Sequence, residues 1–386
     1  MAKIEVRCHC GRLYHADPAH AGRSIRCRCG RAVPIPTPNP SARSRFKWPT
    51  LRFQVRLPPW VPKALTLSVW AYLAGTLLSA LGLWLLGDVW WPFTVLLFGP
   101  RWLLLVPAAP LALAAALLRP RLLLPVLVGL ALVLGPVMGY RLGWRGWVGG
   151  EAPGRLRVIT FNVDGGANPR AAEIPAELAK LEPDVVVLQE CPEALAVSGA
   201  GWQGWTIRRD RSLCLASRFP VDSVLTLETV ETRSEGMTGM GFLYWLRTPA
   251  GVVRLGNIHL ETPRKGLEPL RGTGEVANLV RNIMLRDVGS RRVSRWLAGQ
   301  QADIVAGDFN LTVESVIYRR YWSACPDAFS RVGRGFGWTR VLLRFAARID
   351  HVLTCGGWRP VSARVGPDLG SDHLPLIVDL VPIRGQ

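Results

Sequence analysis

I-V-A-G-D-F-N (Ile304 to Asn310) is an apolar run that ends in two polar residues on either side of one aromatic. In an extended segment alternate side chains share a face, so Asp308 and Asn310 point the same way past the end of a buried strand. Five further stretches have the same form: R-V-I-T-F-N-V-D-G (Arg157 to Gly165), V-V-V-L-Q-E (Val185 to Glu190), L-G-N-I-H-L-E (Leu255 to Glu261), R-I-D-H-V (Arg348 to Val352) and S-D-H-L-P (Ser371 to Pro375). Each sets Asn, Asp, Glu or His against a run rich in Val, Ile or Leu. Strands are expected over Leu156 to Val163, Asp184 to Gln189, Leu213 to Ser217, Val252 to Leu260, Ile304 to Gly307, Ile349 to Thr354 and Leu374 to Leu380, with helices over Ala171 to Leu181 and Asn278 to Leu297. By themselves these elements specify an α/β or α+β sandwich.

In this order the six patches resemble the endonuclease/exonuclease/phosphatase superfamily, which includes pancreatic deoxyribonuclease, exonuclease III-type nucleases, sphingomyelinases and inositol phosphatases. The resemblance covers about residues 155 to 381. It implies an α/β fold, a deoxyribonuclease I-like α-β-β-α sandwich of two packed sheets flanked by helices, and hydrolysis of a phosphoester with Mg²⁺ or Mn²⁺. Such chemistry needs an ion to draw charge from the phosphoryl oxygens, an activated water and a donor for the leaving oxygen. By position Glu190 matches the principal metal ligand, and carboxylate is the donor that a hard cation prefers. Asn162 matches the residue that orients this glutamate and approaches the metal, while Asp164 and Asp372 match further metal-side carboxylates. Asp308 and Asn310 match the pair that positions nucleophile and phosphate. His373 is expected as general base, with Asp350 fixing its tautomer, and His259 as the contact to the phosphate or the departing oxygen. F-N-V-D-G is most like the exonuclease III branch, whereas His259 sides with deoxyribonuclease- and sphingomyelinase-like members.

The amino-terminal part has a different character. The chain carries a formal +19, but residues 1–150 hold 18 Lys/Arg against Glu5, Asp17 and Asp88, and residues 151–386 hold 29 against 25. The basicity therefore belongs mainly to the part outside the enzyme-like domain, expected over residues 151–386. Within residues 63–141, Ala64 to Leu86 is long enough to cross a hydrocarbon core of roughly 30 Å, and Leu122 to Tyr140 is expected to cross despite Pro125 and Pro136. A middle span over Trp102 to Leu118 is expected to start near Arg101, with Trp90, Trp91 and Trp102 at the interface; the alternative is a re-entrant segment. Arg43, Arg45, Lys47, Arg52, Arg56 and Lys63 precede the first span, Asp88 marks the first hairpin, and Arg119 and Arg121 mark the second. An inner-membrane protein with a cytoplasmic amino terminus, three crossings and an extracytoplasmic catalytic domain satisfies this pattern; Arg141 and Arg145 run against it. Met1 leads into polar sequence rather than a cleavable apolar core, so the spans are expected to direct insertion.

Residues 1–33 contain Cys8, Cys10, Cys27 and Cys29 as two C-x-C-G pairs. Four thiolates in close pairs suit tetrahedral Zn²⁺, although the spacing is not the usual C-x₂-C, and His9, His15 or His20 could replace a sulfur. The alternative is a metal-free cluster in a basic tail. The module looks like the short zinc ribbons at the front of some bacterial membrane proteins. Pro34, Pro36, Pro38 and Pro40 open an extended, basic linker over residues 34–62. Cys191, Cys214, Cys325 and Cys355 are equally acceptable as disulfides outside the cytoplasm or as buried thiols.

The leading expectation is a membrane-anchored, metal-dependent phosphoesterase acting on nucleic acid or another phosphodiester. A sphingomyelinase-like lipid phosphodiesterase, with Gly239 to Trp245 as a short apolar candidate for lipid contact, is one alternative, and a non-catalytic ligand-binding sensor is another. The basic clusters Arg208-Arg209-Asp210-Arg211 and Arg291, Arg292, Arg295 are expected to be solvated faces.

Overall fold

The apolar runs of the carboxy-terminal half are continuous because their strands are covered on both faces. Val185 and Val187 enter one core cluster and Val186 and Leu188 another, and the same alternation sends Val158 one way and Ile159 and Phe161 the other. The computed structural model describes residues 3–37, 58–143, 154–197, 201–227, 240–272, 275–342 and 345–383. Residues 38–57 of the basic linker, Arg145 and Gly239 lie outside the described residues.

Two mixed sheets pack face to face. One runs, by spatial order, Trp358–Val365, Leu376–Pro382, Leu156–Asn162, Val185–Gln189, Leu213–Ser217 and Thr206–Asp210; the other runs Asp350–Thr354, Ile304–Asp308, Gly251–His259, Met240–Thr248 and Val221–Thr226. Leu156, Val158, Tyr244, Leu255, Ile304, Val352 and Val378 fill the layer between them. The outer face of the first sheet is covered by Ile174–Ala179 and Glu193–Val197, and that of the second by Val276–Gly299 and Val316–Tyr321. The result is an α-β-β-α sandwich. A buried amide bridge joins the sheets just below their common edge: Gln189 Nε2 donates to Asn257 Oδ1 at 2.8 Å, and Asn257 Nδ2 donates to the carbonyls of Leu188 at 3.3 Å and Cys214 at 3.1 Å. Cys191–Cys214 and Cys325–Cys355 are disulfides, with Cα atoms 5.9 and 4.6 Å apart.

Within the two large sheets four strands carry no expected signature: Thr206–Asp210, Val221–Thr226, Met240–Thr248 and Trp358–Val365. Arg208 and Arg209 sit exposed on the edge strand Thr206–Asp210. Met240 to Trp245 is not a lipid-facing surface, because it lies in a central strand of its sheet with Phe242, Leu243 and Tyr244 buried.

Among the described residues three helices are long and apolar enough to cross a membrane, Trp60–Leu86, Arg101–Leu118 and Pro120–Val137. Large apolar side chains stand exposed on them, among them Leu67, Trp70, Leu78, Leu113, Leu117 and Leu124, a surface suited to lipid rather than water. This region packs with the sandwich in one compact unit, Pro59–Gln386. Asp88, just beyond the first helix, is buried against Arg286 at 2.7 Å. Arg286 also donates to the Asn310 carbonyl at 2.9 Å. Beside this pair, Arg101 donates to the Val137 carbonyl at 2.6 Å and approaches Glu314 at 3.4 Å. The Val316 amide donates to the Gly87 carbonyl at 3.0 Å. The cation that is costly inside a span is thus bonded at its end.

The other unit, Met1–Pro58, contains two small hairpins, Ile4–Arg7 with Leu13–Ala16 and Ser24–Arg26 with Ala32–Pro34. They repeat one pattern: the Gly11 amide donates to the Cys8 carbonyl, and the Gly30 amide to the Cys27 carbonyl, each at 2.8 Å. Val6, Ala16, Val33 and Ile35 form a core of minimal size.

Candidate active site

Sheet register brings the polar strand ends together. His259 lies opposite Asp308 in the parallel pair Gly251–His259 with Ile304–Asp308, and Asp308 lies opposite Asp350 in the next, antiparallel pair. Across the sandwich Asn162 lies opposite Gln189, which places Glu190 one step beyond. Asn162, Asp164, Glu190, His259, Asp308, Asn310, Asp372 and His373 line one cleft of about 330 Å³. Asp350 lies just beneath, fully buried.

The centre is His373. Its Nδ1 contacts Asp350 Oδ2 at 2.8 Å, and its Nε2 lies 3.8 Å from Asp308 Oδ2 and 3.7 Å from Asp372 Oδ1. Burial disfavours charge on the ring, but Asp350 and Asp308 outweigh it and raise its pKa to about 9. The ring is therefore held as a cation at neutral pH in the bare site. Burial, and then the neighbouring Asp350 charge, push Asp308 above the ordinary carboxylate range, against the pull of His373 and His259. Ser371 fixes the approach: its hydroxyl donates to the Asn162 carbonyl at 2.8 Å and accepts from the His373 amide at 3.1 Å.

Asn162 ties the two sheets' carboxylates together. Its Nδ2 donates to Glu190 at 3.1 Å and to Asp308 at 3.0 Å, while its Oδ1 accepts from the Asp164 amide at 3.1 Å. Asn310 differs from expectation. Its Nδ2 is occupied by the Leu260 carbonyl at 2.9 Å and Asp308 Oδ2 at 3.3 Å, so it holds Asp308 instead of facing the cleft with a free donor. Reversing the amide would set its oxygen against two acceptors, which fixes the assignment. His259 Nε2 stands 3.6 Å from Asp308 and 3.8 Å from Glu190.

Asp164, Glu190 and Asn310 all have positive φ, at 49°, 52° and 51°. Non-glycine residues adopt this region seldom, and such strain concentrates at functional sites. Two glycines permit the close approach: a Cβ on Gly307 would lie 2.0 Å from the Ile258 carbonyl oxygen, and one on Gly165 would lie 2.0 Å from the Glu190 carbonyl oxygen. Both therefore belong to the motifs for steric reasons.

Several cleft residues carry no strand-end signature. Arg340 pairs with Asp372 at 2.6 Å, and Thr262, Arg264, Lys265, Ser212 and Met240 complete the rim. Only the string P-R-K after Thr262 hints at a cationic rim. The histidine of R-I-D-H is structural: His351 Nδ1 contacts Asp327 at 3.0 Å, its Nε2 contacts the Leu311 carbonyl at 2.8 Å, and Arg348 joins Asp327 at 2.5 Å.

In the amino-terminal unit the ligand atoms of Cys8, Cys10, Cys27 and Cys29 lie within 4.8 Å of one another. His15 instead approaches Glu5 at 3.7 Å. The Cys29 amide and the Tyr14 hydroxyl draw the Cys27 thiol down to about 6.

No protein of curated function matches the chain. Solved structures with a similar course include D. rerio TDP2 complexed with a single-strand DNA product (18% identity, TM-score 0.45, covering 58% of this chain and 98% of that one). An endonuclease/exonuclease/phosphatase from Beutenbergia cavernae is also similar (20% identity, TM-score 0.40, 59% and 72%), as is a family protein from Bacteroides thetaiotaomicron (15%, 0.43, 60% and 99%). The model of the Endonuclease/Exonuclease/phosphatase family matches residues 159–373, over half of the sequence and from the first of these patches to the last. The chain is a member of the endonuclease/exonuclease/phosphatase family.

Proposed function

We propose that the protein is a membrane-anchored, metal-dependent phosphodiesterase that hydrolyses its substrate by attack of water. One observation carries this: the buried 2.8 Å contact of His373 with Asp350, aimed at Asp308 in a cleft walled by Asp164, Glu190 and Asp372. Asp350 fixes the imidazole with Nε2 toward the cleft, where the neutral ring takes the proton of the attacking water. Asp308, held by Asn162 and Asn310, positions that water or the leaving oxygen. His259 stands where a departing oxygen receives its proton. The water oxygen forms the new bond to phosphorus as the ester P–O bond breaks.

The donors fit a hard divalent cation. Asp164, Glu190 and Asp372 offer carboxylate oxygens and Asn162 an amide oxygen, an all-oxygen set suited to Mg²⁺ or Mn²⁺. Asp164 is raised by burial and then by the Asp372 and Glu190 charges, a crowding that a cation relieves. When bound, such an ion draws charge from the phosphoryl oxygens and offsets the carboxylates that hold His373 protonated. Asp308, Asp350 and His373 also present ligand atoms within 4.8 Å. We assign that trio to proton handling, because Asp350 is already bound to the ring.

The front module is assigned a zinc ion. Four sulfurs at about 2.3 Å around one tetrahedral ion lie about 3.8 Å apart, and here Cys8 to Cys29 is 3.7 Å and Cys10 to Cys27 is 3.5 Å. Three crossings put Lys63, Arg119 and Arg121 at the inner end and Asp88 with the catalytic domain at the outer end, where disulfides persist.

The test is hydrolysis of bis(p-nitrophenyl) phosphate by the full chain in detergent, with Mg²⁺ and then with EDTA. Asp308→Ala and His373→Ala should each lower turnover at least ~100-fold while circular dichroism stays unchanged. Unchanged rates would remove these residues from the mechanism.

A further inference from the structure

Beside the catalytic cleft lies a second cavity, of about 180 Å³, whose walls are of another kind. The cleft is walled by carboxylates, imidazoles and cations. The second cavity is lined chiefly by Phe98, Leu267, Leu342, Phe345, Ala347 and Ile349, with a single carboxylate, Glu268, at its edge beside Arg264. The two share Thr262, Arg264 and Arg340, so together they form one depression with a charged half and an apolar half. Arg340 marks the division, bound to Asp372 at 2.6 Å on the charged side.

The place of the apolar half matters as much as its lining. Phe98 ends the short helix Trp91–Phe98, between the first and second apolar helices. Arg286 stacks on its ring at 4.9 Å and binds Asp88 at 2.7 Å. The apolar cavity therefore opens where the membrane region meets the catalytic domain, and one wall is contributed by the membrane region itself.

We propose that this cavity receives the hydrocarbon part of an amphiphilic phosphoester, so that the substrate class is a membrane phospholipid whose phosphate enters the charged half. The inference rests on the phosphodiesterase reading above and narrows it. A hydrocarbon chain gains by leaving water for such a lining, whereas a polynucleotide needs cations that follow its backbone. The apolar half offers no such track. The reaction itself balances with water alone: one P–O bond forms, one ester P–O bond breaks, and the departing alcohol takes a proton.

A homologous series of alkyl p-nitrophenyl phosphates, methyl through hexyl, tests this with the full chain in detergent and Mg²⁺, read as p-nitrophenol release. We expect kcat/KM to rise roughly fourfold per added methylene over the first few, since a buried CH₂ contributes ~0.8 kcal/mol and a tenfold change takes ~1.4 kcal/mol. Ala347→Trp, which fills the cavity, and Leu267→Asn, which makes its wall polar, should flatten the series while leaving the methyl ester within about twofold. Because all proteins meet the same micelles, flattening in the variants separates the cavity from detergent partitioning. A series already flat in the wild type, or a slope retained by both variants, overturns the proposal, as does single-stranded DNA cleaved faster than the hexyl ester. Failure to hydrolyse any ester would instead sink the phosphodiesterase reading.

Discussion

The eight cysteines divide into two sets with opposite surroundings. In the front module Cys8, Cys10, Cys27 and Cys29 are free, with Sγ contacts of 3.5 and 3.7 Å, in a unit whose core is six small or medium side chains. In the sandwich Cys191–Cys214 and Cys325–Cys355 are disulfides inside a protein with large apolar clusters. On the zinc assignment proposed above, a unit with so little core should need its metal to fold, whereas the sandwich should fold with or without its cross-links, less stably in the second case. The proposed topology sets the reduced thiols and the disulfides in different compartments, and three apolar helices of the described residues stand between the two sets in the sequence.

Crossing a chelator with a reductant is the sharpest way to break this comparison, and carries the largest effect. Structural zinc in such modules contributes apparent binding energies of ~10–16 kcal/mol, so Cys10→Ser with Cys29→Ser should abolish the single equivalent of zinc expected by elemental analysis of the purified full chain. Turnover by the catalytic domain should not change. A reductant should do the reverse, leaving zinc in place while costing the sandwich ~3 kcal/mol for each disulfide, read as a lower unfolding midpoint. Zinc loss on mild reduction alone would show that the two sets do not behave independently.

Next in size is the membrane region's attachment. Asp88 and Arg286 are both buried and pair at 2.7 Å, and Arg286 in turn holds the Asn310 carbonyl at 2.9 Å. Removing one partner leaves a buried charge uncompensated, so Asp88→Ala should cost ~3–5 kcal/mol, whereas Asp88→Leu with Arg286→Met should recover much of that stability. Turnover should fall in the double variant, because the tie from Arg286 to the Asn310 carbonyl is gone. Deletion of residues 1–37 should leave turnover intact. The membrane region would then be a structural part of the catalytic half, and the front module would not.

The parts of this arrangement that show in sequence are those that burial writes locally. Val185 to Gln189 and Ile304 to Asp308 lie in the middle of their sheets with both faces covered, so each reads as one apolar run with a polar terminus. Thr206–Asp210 and Val221–Thr226 are edge strands with mixed exposure, and Trp358–Val365 is the other edge of its sheet, so their patterns resemble loops. Met240–Thr248 is central, but the residue it brings to the cleft, Met240, is apolar and so leaves no polar strand-end signature. Arg340, Asp88 and Arg286 act as single residues brought together over long separations, and nothing in their neighbours announces the partner. The same holds for Asn310: its residue type suggests a phosphate donor, but in the fold its amide hydrogens are bound to Leu260 and Asp308.

The smallest effect concerns pH, and here the two halves should move in opposite directions. Zinc thiolates are lost by protonation, so the front module should weaken as pH falls. In the sandwich, His373 is held at about 9 against an ordinary 6.5 by Asp350 and Asp308 acting against burial. Its protonated form therefore contributes stability that is complete below about 6.5 and is lost as pH rises through about 9. In EDTA, the difference in unfolding free energy between the wild type and His373→Asn should be on the order of 3 kcal/mol near pH 6 and should shrink steadily toward pH 9.5. A difference that stays constant over this range would mean that the ring is not charged between the two carboxylates. The His351–Asp327 pair, which lies outside the cleft, is present in both proteins and cancels from the difference.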